Sequence, residues 1–364
     1  MRFDDLDKKM RQYEQAMDQV IVPGMYIIVR LDGNGFSKLT YNEGFEKPFD
    51  VRFRDMMIKA TQECMKKGFR ISYGYTQSDE ISLLFNIEDD SYGRKVRKIN
   101  SLLAGAASAR FSLELNKLFG KDEAVVLDSR VIALPNAQLV KDYFVWRQED
   151  ANRNALNDWC YWTLRKEGKS RGEATRILKR MPVSEKNELL FERGINYNNV
   201  PAWNKRGVGF YYEPVVVTGE DPRTGEKCKA VRNKLVVNEE LPYGDAYKKM
   251  VGDLIWQSEL PREERFKRAI YDALSEEEKF LAGFRSGERI FESVLRTKYG
   301  NDYKKMADKF TQENKIREEI AYSCPKCEAY LTDLSAEDQN CICYNCDEAF
   351  SRDDAIRRTI YYKI

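Results

Sequence analysis

The chain has 364 residues, of which 42% are hydrophobic and 33% charged. This is a soluble globular composition, and the length calls for two or three units. Histidine is absent, which excludes a Ser/His/Asp triad, a histidine-liganded zinc protease and any histidine general base. The 61 Lys and Arg nearly balance 59 Asp and Glu, so a uniformly basic nucleic-acid coat is excluded but a local patch is not.

No apolar run approaches the roughly 20 residues of a membrane span. The opening MRFDDLDKKM carries no apolar signal core. A cytoplasmic protein with no membrane partner is expected.

Residues 25–31, MYIIVRL, read as a buried strand. The Gly- and Asn-rich turn DGNGFSKLT follows. Phe49, Phe53, Met56, Met57, Ala60 and Cys64 recur at helical spacing and predict a helix over 49–67. Strands are expected over 69–76 and 80–87, joined at Gln77-Ser78-Asp79. A long helix over 91–119 and a strand over 124–134 complete the set. The order strand, helix, strand, strand, helix, strand is that of a split βαβ, ferredoxin-like unit with helices on one face of an antiparallel sheet. The fold class is therefore α+β.

Residues 138–182 read as helical, 183–218 as helix, long loop and strand, and 219–245 as a further extended stretch. Short helices are expected over 246–320. The expected domains are 1–137, a catalytic unit; 138–250, which completes it; 251–320, a helical extension; and 321–364, a cysteine-rich module and tail.

Asp32 directly follows the first strand, and Asp79 sits in the turn between the second and third. In a split βαβ unit these strands are neighbours, so the two aspartates meet at one sheet edge across 46 intervening residues. Close carboxylates repel unless a cation sits between them. Mg²⁺ suits such a pair, with phosphates completing its shell. Gly33 and Gly35 let backbone approach a phosphate, and the Gly33 carbonyl is a candidate third ligand. Each fragment alone also reads as an ordinary solvated turn. Glu80 falls on the opposite strand face from Asp79, as a structural or supporting group.

Arg94, Lys95, Arg97 and Lys98 open the long helix, either as a solvated face or as a triphosphate clamp. Between 165 and 180 seven basic residues stand against two acidic ones. That patch suits a phosphate backbone or a solvated surface. Tyr143, Trp146, Trp159, Tyr161 and Trp162 read mostly as core, with one available to stack on a base.

Cys64, Cys160 and Cys228 are scattered and read as small buried hydrophobes. Cys324 and Cys327, then Cys343 and Cys346, form two CxxC pairs separated by 15 residues. Two such knuckles donate four thiolates to a structural Zn²⁺ with no open position for chemistry. Cys341 is spare.

RLDGNGF (30–36), FEKPFD (45–50), TQSDE (76–80), KDYFVWRQED (141–150) and KNELLFERGINYNN (186–199) occur in this order. The chain over roughly residues 4–235 resembles the tRNA-His guanylyltransferase (Thg1) family, including its Thg1-like 3′-to-5′ polymerases. The resemblance implies a palm-like catalytic domain that adds nucleotides to the 5′ end of tRNA. It implies two Mg²⁺ ions on Asp32, Gly33 and Asp79, with Asp32 and Asp79 catalytic. Contacts to nucleoside triphosphates (GTP or ATP) would fall on Asn34, Gly35, Phe36, Lys47 and Ser78, and on Arg94, Lys95 and Lys98 at the basic helix. It also implies a homo-oligomer, dimer or tetramer.

The family's guanylyltransferases carry HINNLYN after WRQ; here the stretch is Asn152 to Asp158, with Asn152 at the histidine position and Asn157 at the tyrosine. This departure points toward templated 5′-end repair. Nucleotide cyclisation or signalling on the same palm, and a non-catalytic RNA-binding module, are the alternatives.

Overall fold

The computed structural model describes residues 2–220, 223, 225, 227–284, 288–331, 340–343, 345–346 and 348–364, with backbone only at 227–230, 262, 330 and 340. The Cys228 side chain thus lies outside the described residues. The chain divides into two compact units, Met1–Phe266 and Lys267–Ile364. Among the described residues no helix is long and apolar enough to cross a membrane.

The first unit runs α1 (Phe3–Gln15), β1 (Tyr26–Gly33), α2 (Phe36–Asn42), α3 (Val51–Met65), β2 (Ile71–Gln77), β3 (Glu80–Phe85), α4 (Val96–Phe119), β4 (Leu127–Leu134) and α5 (Ala137–Lys166). It continues with α6 (Arg171–Leu178), α7 (Val183–Phe191), α8 (Ala202–Arg206), β5 (Val208–Glu220), β6 (Lys227–Asn238) and α9 (Asp245–Glu259). Helix α10 (Arg262–Asp272) crosses the division between units.

Six antiparallel strands form one sheet in the order β4-β1-β3-β2-β5-β6. The first four stand in the order expected of a split βαβ unit, and the long β5–β6 hairpin extends the β2 edge, with Tyr73 opposite Tyr211.

Helices cover both faces of this sheet, not one. Ile27, Val29 and Leu31 point into a core with Met57, Ala60 and Cys64 of α3 and Leu103 and Phe111 of α4. Tyr26 and Ile28 point into a second core with Val140 and Phe144 of α5 and Val251 and Ile255 of α9. The physical reason is legible in β1 itself. Its apolar run does not alternate, as a strand buried on both faces requires.

Two helical expectations are also corrected. The stretch 138–182 is not one helix: α5 ends before Gly168, whose φ is 89°. Ser170 and Glu173 then form a capping box that opens α6. The stretch 91–119 begins as a 3-10 turn, Ser91–Arg94, in which Tyr92, Gly93 and Arg94 all have positive φ. Helix α4 starts only at Val96. The short α2 and the N-terminal α1 lie outside the sequence expectations.

The second unit contains α11 (Glu276–Ala282), β7 (Arg289–Phe291), α12 (Glu292–Tyr299), α13 (Asp302–Gln312), β8 (Ile316–Ser323), β9 (Tyr330–Leu331), β10 (Asn340–Ile342), β11 (Ala349–Ser351) and β12 (Ile356–Lys363). Strands order as β7-β12-β8-β9, with β10–β11 as a separate ribbon. Phe280, Phe284, Leu295, Tyr303, Phe310, Ile316 and Tyr361 form its core.

Candidate active site

The end of β1 and the β2–β3 turn are stitched together by backbone. The Gly33 N–H donates to the Asp79 carbonyl at 3.0 Å, and Asp32 lies in register with Glu80 on β3 and Asp128 on β4. The antiparallel pairing therefore brings the Asp32 and Asp79 turns side by side.

Gly33 is required here: a Cβ would lie 2.4 Å from the Phe36 ring. That ring is buried against Phe53 and Phe111. Phe36 is thus a wall of the turn rather than a free stacking platform. Gly35, at φ 76°, turns the chain into α2.

Ser78 adopts a positive φ of 52°, and its hydroxyl donates to Asp79 Oδ1 at 3.0 Å. Burial pushes the Asp79 carboxyl up, and the Asp32 charge adds to the shift against the Asp79 N–H and Ser78 hydroxyl bonds. A cation would relieve both the burial and the repulsion. The candidate donors, two carboxylates and the Gly33 carbonyl, are all hard oxygens, which fits Mg²⁺.

A cavity of about 950 Å³ opens beside these turns. Asp32, Phe36, Lys47, Ser78 and Asp79 line it. Its lining also includes a polar stripe of α5: Arg147, Asp150, Asn154, Asn157, Asp158 and Tyr161. Their spacing of three and four residues places them on one helix face, a periodic signal that is present in the sequence itself but that no short motif marks.

Asp158 has no hydrogen-bond partner among the described residues. Burial pushes its carboxyl up to about 6, and the Lys47 charge opposes the shift. Burial also pulls the Lys47 ammonium down, with Asp158 and Asp50 opposing. Lys47 Nζ donates to Thr40 Oγ1 at 2.8 Å and lies 5.8 Å from the Trp162 ring centroid.

Glu80 is structural. Arg147 holds it through two hydrogen bonds of 2.7 and 2.8 Å, and the Arg30 guanidinium lies 3.8 Å away. This pair ties the β2–β3 turn to α5.

The structure does not bring Arg94, Lys95 and Lys98 to the cavity lining. Arg94 is buried, and its guanidinium donates to the carbonyls of Ile21, Met25, Ile87 and Asp89. It cannot grip a phosphate without leaving four acceptors unpaired. Lys95 pairs with Asp18 at 2.8 Å, and Arg97 pairs with the same carboxylate. The left-handed turn at 92–94 is the reason: it swings Arg94 inward, off the face it would share with Lys98 on a continuous helix.

The basic residues of 165–180 are largely exposed. Arg171 joins the cavity lining, 5.7 Å from the Tyr41 ring centroid. Cys64 and Cys160 are buried.

In the second unit the sulfurs of Cys324, Cys327, Cys343 and Cys346 all lie within 4.8 Å of one another. Cys324 and Cys346 are 3.7 Å apart, and Cys327 and Cys343 3.6 Å. A tetrahedron with metal–sulfur bonds of ~2.3 Å has edges of ~3.8 Å, so the spacing suits zinc. The Lys326 and Asn345 N–H groups donate to Cys324 and Cys343 Sγ, each at 3.4 Å. Cys341 lies outside this group.

Fold and site define a mixed helix-and-sheet protein whose paired-carboxylate turns open on a polar cavity. The chain belongs to the tRNAHis guanylyltransferase family, Thg1: residues 7–135 match the tRNAHis guanylyltransferase domain and 138–244 the Thg1 C-terminal domain. It is 33% identical over 217 residues to the probable tRNA(His) guanylyltransferase of Dictyostelium discoideum, covering 58% of this chain and 85% of that one. It is 32% identical over 223 residues to tRNA(His) guanylyltransferase 1 of Arabidopsis thaliana, covering 60% of this chain but only 39% of that longer protein.

The crystal structure of the Saccharomyces cerevisiae tRNA(His) guanylyltransferase superposes with a TM-score of 0.51 at 31% identity, over 55% of this chain and 90% of that chain. A bacterial Thg1-like protein, solved in complex with ATP, shares the fold with a TM-score of 0.55 at 24% identity, over 69% and 98% of the two chains.

Proposed function

We propose that this protein is a tRNA 5′-end nucleotidyltransferase. It works on the palm-like sheet of the first unit and extends RNA in the 3′-to-5′ direction. The observation that carries the reading is the Gly33-to-Asp79 backbone bond, which sets two aspartate turns side by side at the edge of a polar cavity. Nucleoside triphosphates as co-substrates are supported by family membership and by the bacterial relative's complexes with ATP and GTP.

In the activation step a 5′-phosphate oxygen bonds to the α-phosphorus of a triphosphate and pyrophosphate leaves. In the transfer step the 3′-hydroxyl of the incoming nucleotide loses its proton and bonds to the 5′ phosphorus, and the activating nucleoside monophosphate leaves. Asp32, Asp79 and the Gly33 carbonyl would hold Mg²⁺, which when bound lowers the pKa of the attacking hydroxyl and neutralises phosphate charge. Lys47 offers a partly desolvated ammonium to a phosphate inside the cavity. Ser78 orients the Asp79 carboxylate. The exposed basic residues of 165–180, reaching the cavity through Arg171, suit the tRNA backbone. In the second unit the four-cysteine cluster would hold a structural Zn²⁺, making that region a zinc ribbon.

The test uses purified protein, Mg²⁺ and a tRNA transcript lacking its first 5′ nucleotide, with each triphosphate alone and all together. The expected product is longer by one nucleotide matched to the template strand, and Asp79→Ala lowers its rate by at least ~100-fold. Addition of G regardless of template would assign the guanylyltransferase reaction instead. Triphosphate consumption without RNA would move the assignment to a cyclase-type reaction. RNA binding without any product would make the chain a non-catalytic module.

A further inference from the structure

The cavity of the first unit holds a carboxylate that the nucleotidyl-transfer chemistry leaves unused. Asp32 and Asp79 are the candidate Mg²⁺ ligands. Of the other buried or half-buried carboxylates in the lining, Glu80 is held by Arg147, Asp150 accepts from Arg147 and Asn154, and Asp50 accepts from Arg52 and caps α3. Asp158 accepts no hydrogen bond among the described residues. The charge that bears on it is that of Lys47, yet the two form no ion pair among the described residues. Both side chains are half-buried and line the cavity. A partly desolvated carboxylate without a partner lowers stability. Such a cost persists where a ligand recovers it.

The ligand that fits carries donors for Asp158 beside an acceptor for Lys47. A carboxylate accepts two parallel N–H bonds from one planar edge, as it does from arginine. Guanine has that edge: N1–H and the 2-amino group lie side by side, and the O6 carbonyl is next to N1–H. Adenine and cytosine set a lone pair where N1–H is needed, and uracil sets a carbonyl in place of the second donor. Lys47 keeps two N–H bonds after the one to Thr40, which serves both O6 and a phosphate. Trp162 lines the same cavity, its ring centroid 5.8 Å from Lys47 Nζ, and offers a face to the base. Templated transfer has to accept all four bases, so a guanine-reading pocket serves the activation step.

We propose that Asp158 and Lys47 read the guanine edge of a bound triphosphate, making GTP the activating nucleotide. This deepens the triphosphate role of the cavity given above and rests on it.

The test is titration calorimetry of the full chain with Mg²⁺ at pH 8 and without RNA, using GTP, ATP, inosine triphosphate and xanthosine triphosphate. GTP is expected to bind at least ~10-fold more tightly than ATP. Inosine triphosphate lacks the 2-amino group and is expected to bind ~10-fold more weakly than GTP, the worth of one hydrogen bond to a charged acceptor. Asp158→Asn places an amide N–H where xanthine carries its 2-carbonyl, so this variant is expected to prefer xanthosine triphosphate over GTP. The amide is isosteric with the carboxyl and keeps the fold, which a melting curve checks. Equal wild-type affinity for GTP and ATP, equal affinity for GTP and inosine triphosphate, or a GTP preference unchanged in Asp158→Asn would each overturn the proposal. Extension of tRNA by the same preparation would then leave the nucleotidyltransferase assignment standing. Failure of every triphosphate to bind would overturn both.

Discussion

Asp158 is the residue whose titration most directly reports on the cavity. Its carboxyl, pushed up to about 6 by burial with the Lys47 charge opposing, holds its proton in the folded state where the unfolded chain has lost it. Between the unfolded value of 3.8 and about 6 the folded state binds more protons, so stability falls as pH rises through that window. Below the window the group contributes nothing. Above it the full destabilisation is present, at most about 3 kcal/mol before solvent screening. Asp158→Asn is therefore expected to leave the melting temperature unchanged near pH 4 and to raise it at pH 7. A variant less stable than wild type at pH 7 would show instead that the ionised carboxyl has a compensating partner. The Asp79 carboxyl shifts in the same direction for the same first reason, burial, with the Asp32 charge beside it.

At the scale of elements, the Glu80–Arg147 pair is what holds the β2–β3 turn against α5. Both side chains are largely buried, at 14% and 11% exposure. Removing Arg147 leaves the buried Glu80 charge with only the Arg30 guanidinium at 3.8 Å, and costs up to about 3–5 kcal/mol. Arg147→Ala should therefore destabilise the first unit strongly. Adding Glu80→Gln should recover part of the loss, which a double-mutant cycle measured by denaturant unfolding would read. Strict additivity would mean that the two groups do not communicate. Residues on α5 also explain how the cavity acquired a wall that the motifs alone did not show. Arg147, Asp150, Asn154 and Asp158 recur at helical spacing and line the site, while Val140 and Phe144, nearer the start of the same long helix, pack on the sheet.

At the scale of the whole molecule, the chain divides into two units with separate cores, and the proposed zinc belongs to the second. Zinc content should be about one per chain. A strong chelator, or Cys327→Ser, is expected to lower the melting of the second unit by several degrees while the first unit's transition and its nucleotide binding hold. Loss of both transitions together would show that the units melt as one. The second unit also shows why its boundary is hard to see in sequence: β12 at the chain's end pairs along eight residues with β8, before the cysteine cluster. That pairing brings together the two segments that flank the module in sequence.

Local chemistry carried much of this protein. The Asp-Gly turn after an apolar strand, the Ser-Asp turn between two more, and two CxxC pairs are short-range patterns, and alternating elements bound the possible topology. So the first four strands, the neighbouring aspartate turns and the clustered thiols were all legible in the amino-acid order. Tertiary structure decided what depends on where a side chain ends up after distant segments meet. Arg94 reads as a phosphate ligand until a left-handed turn buries it among four carbonyls from 21 to 89. Lys95 reads as free until Asp18 reaches it. Asp158 reads as an ordinary helix carboxylate until the loop carrying Lys47 closes a cavity over it. In each case the residue type set what the group can do, while burial and partner, which only the folded chain supplies, set what it does.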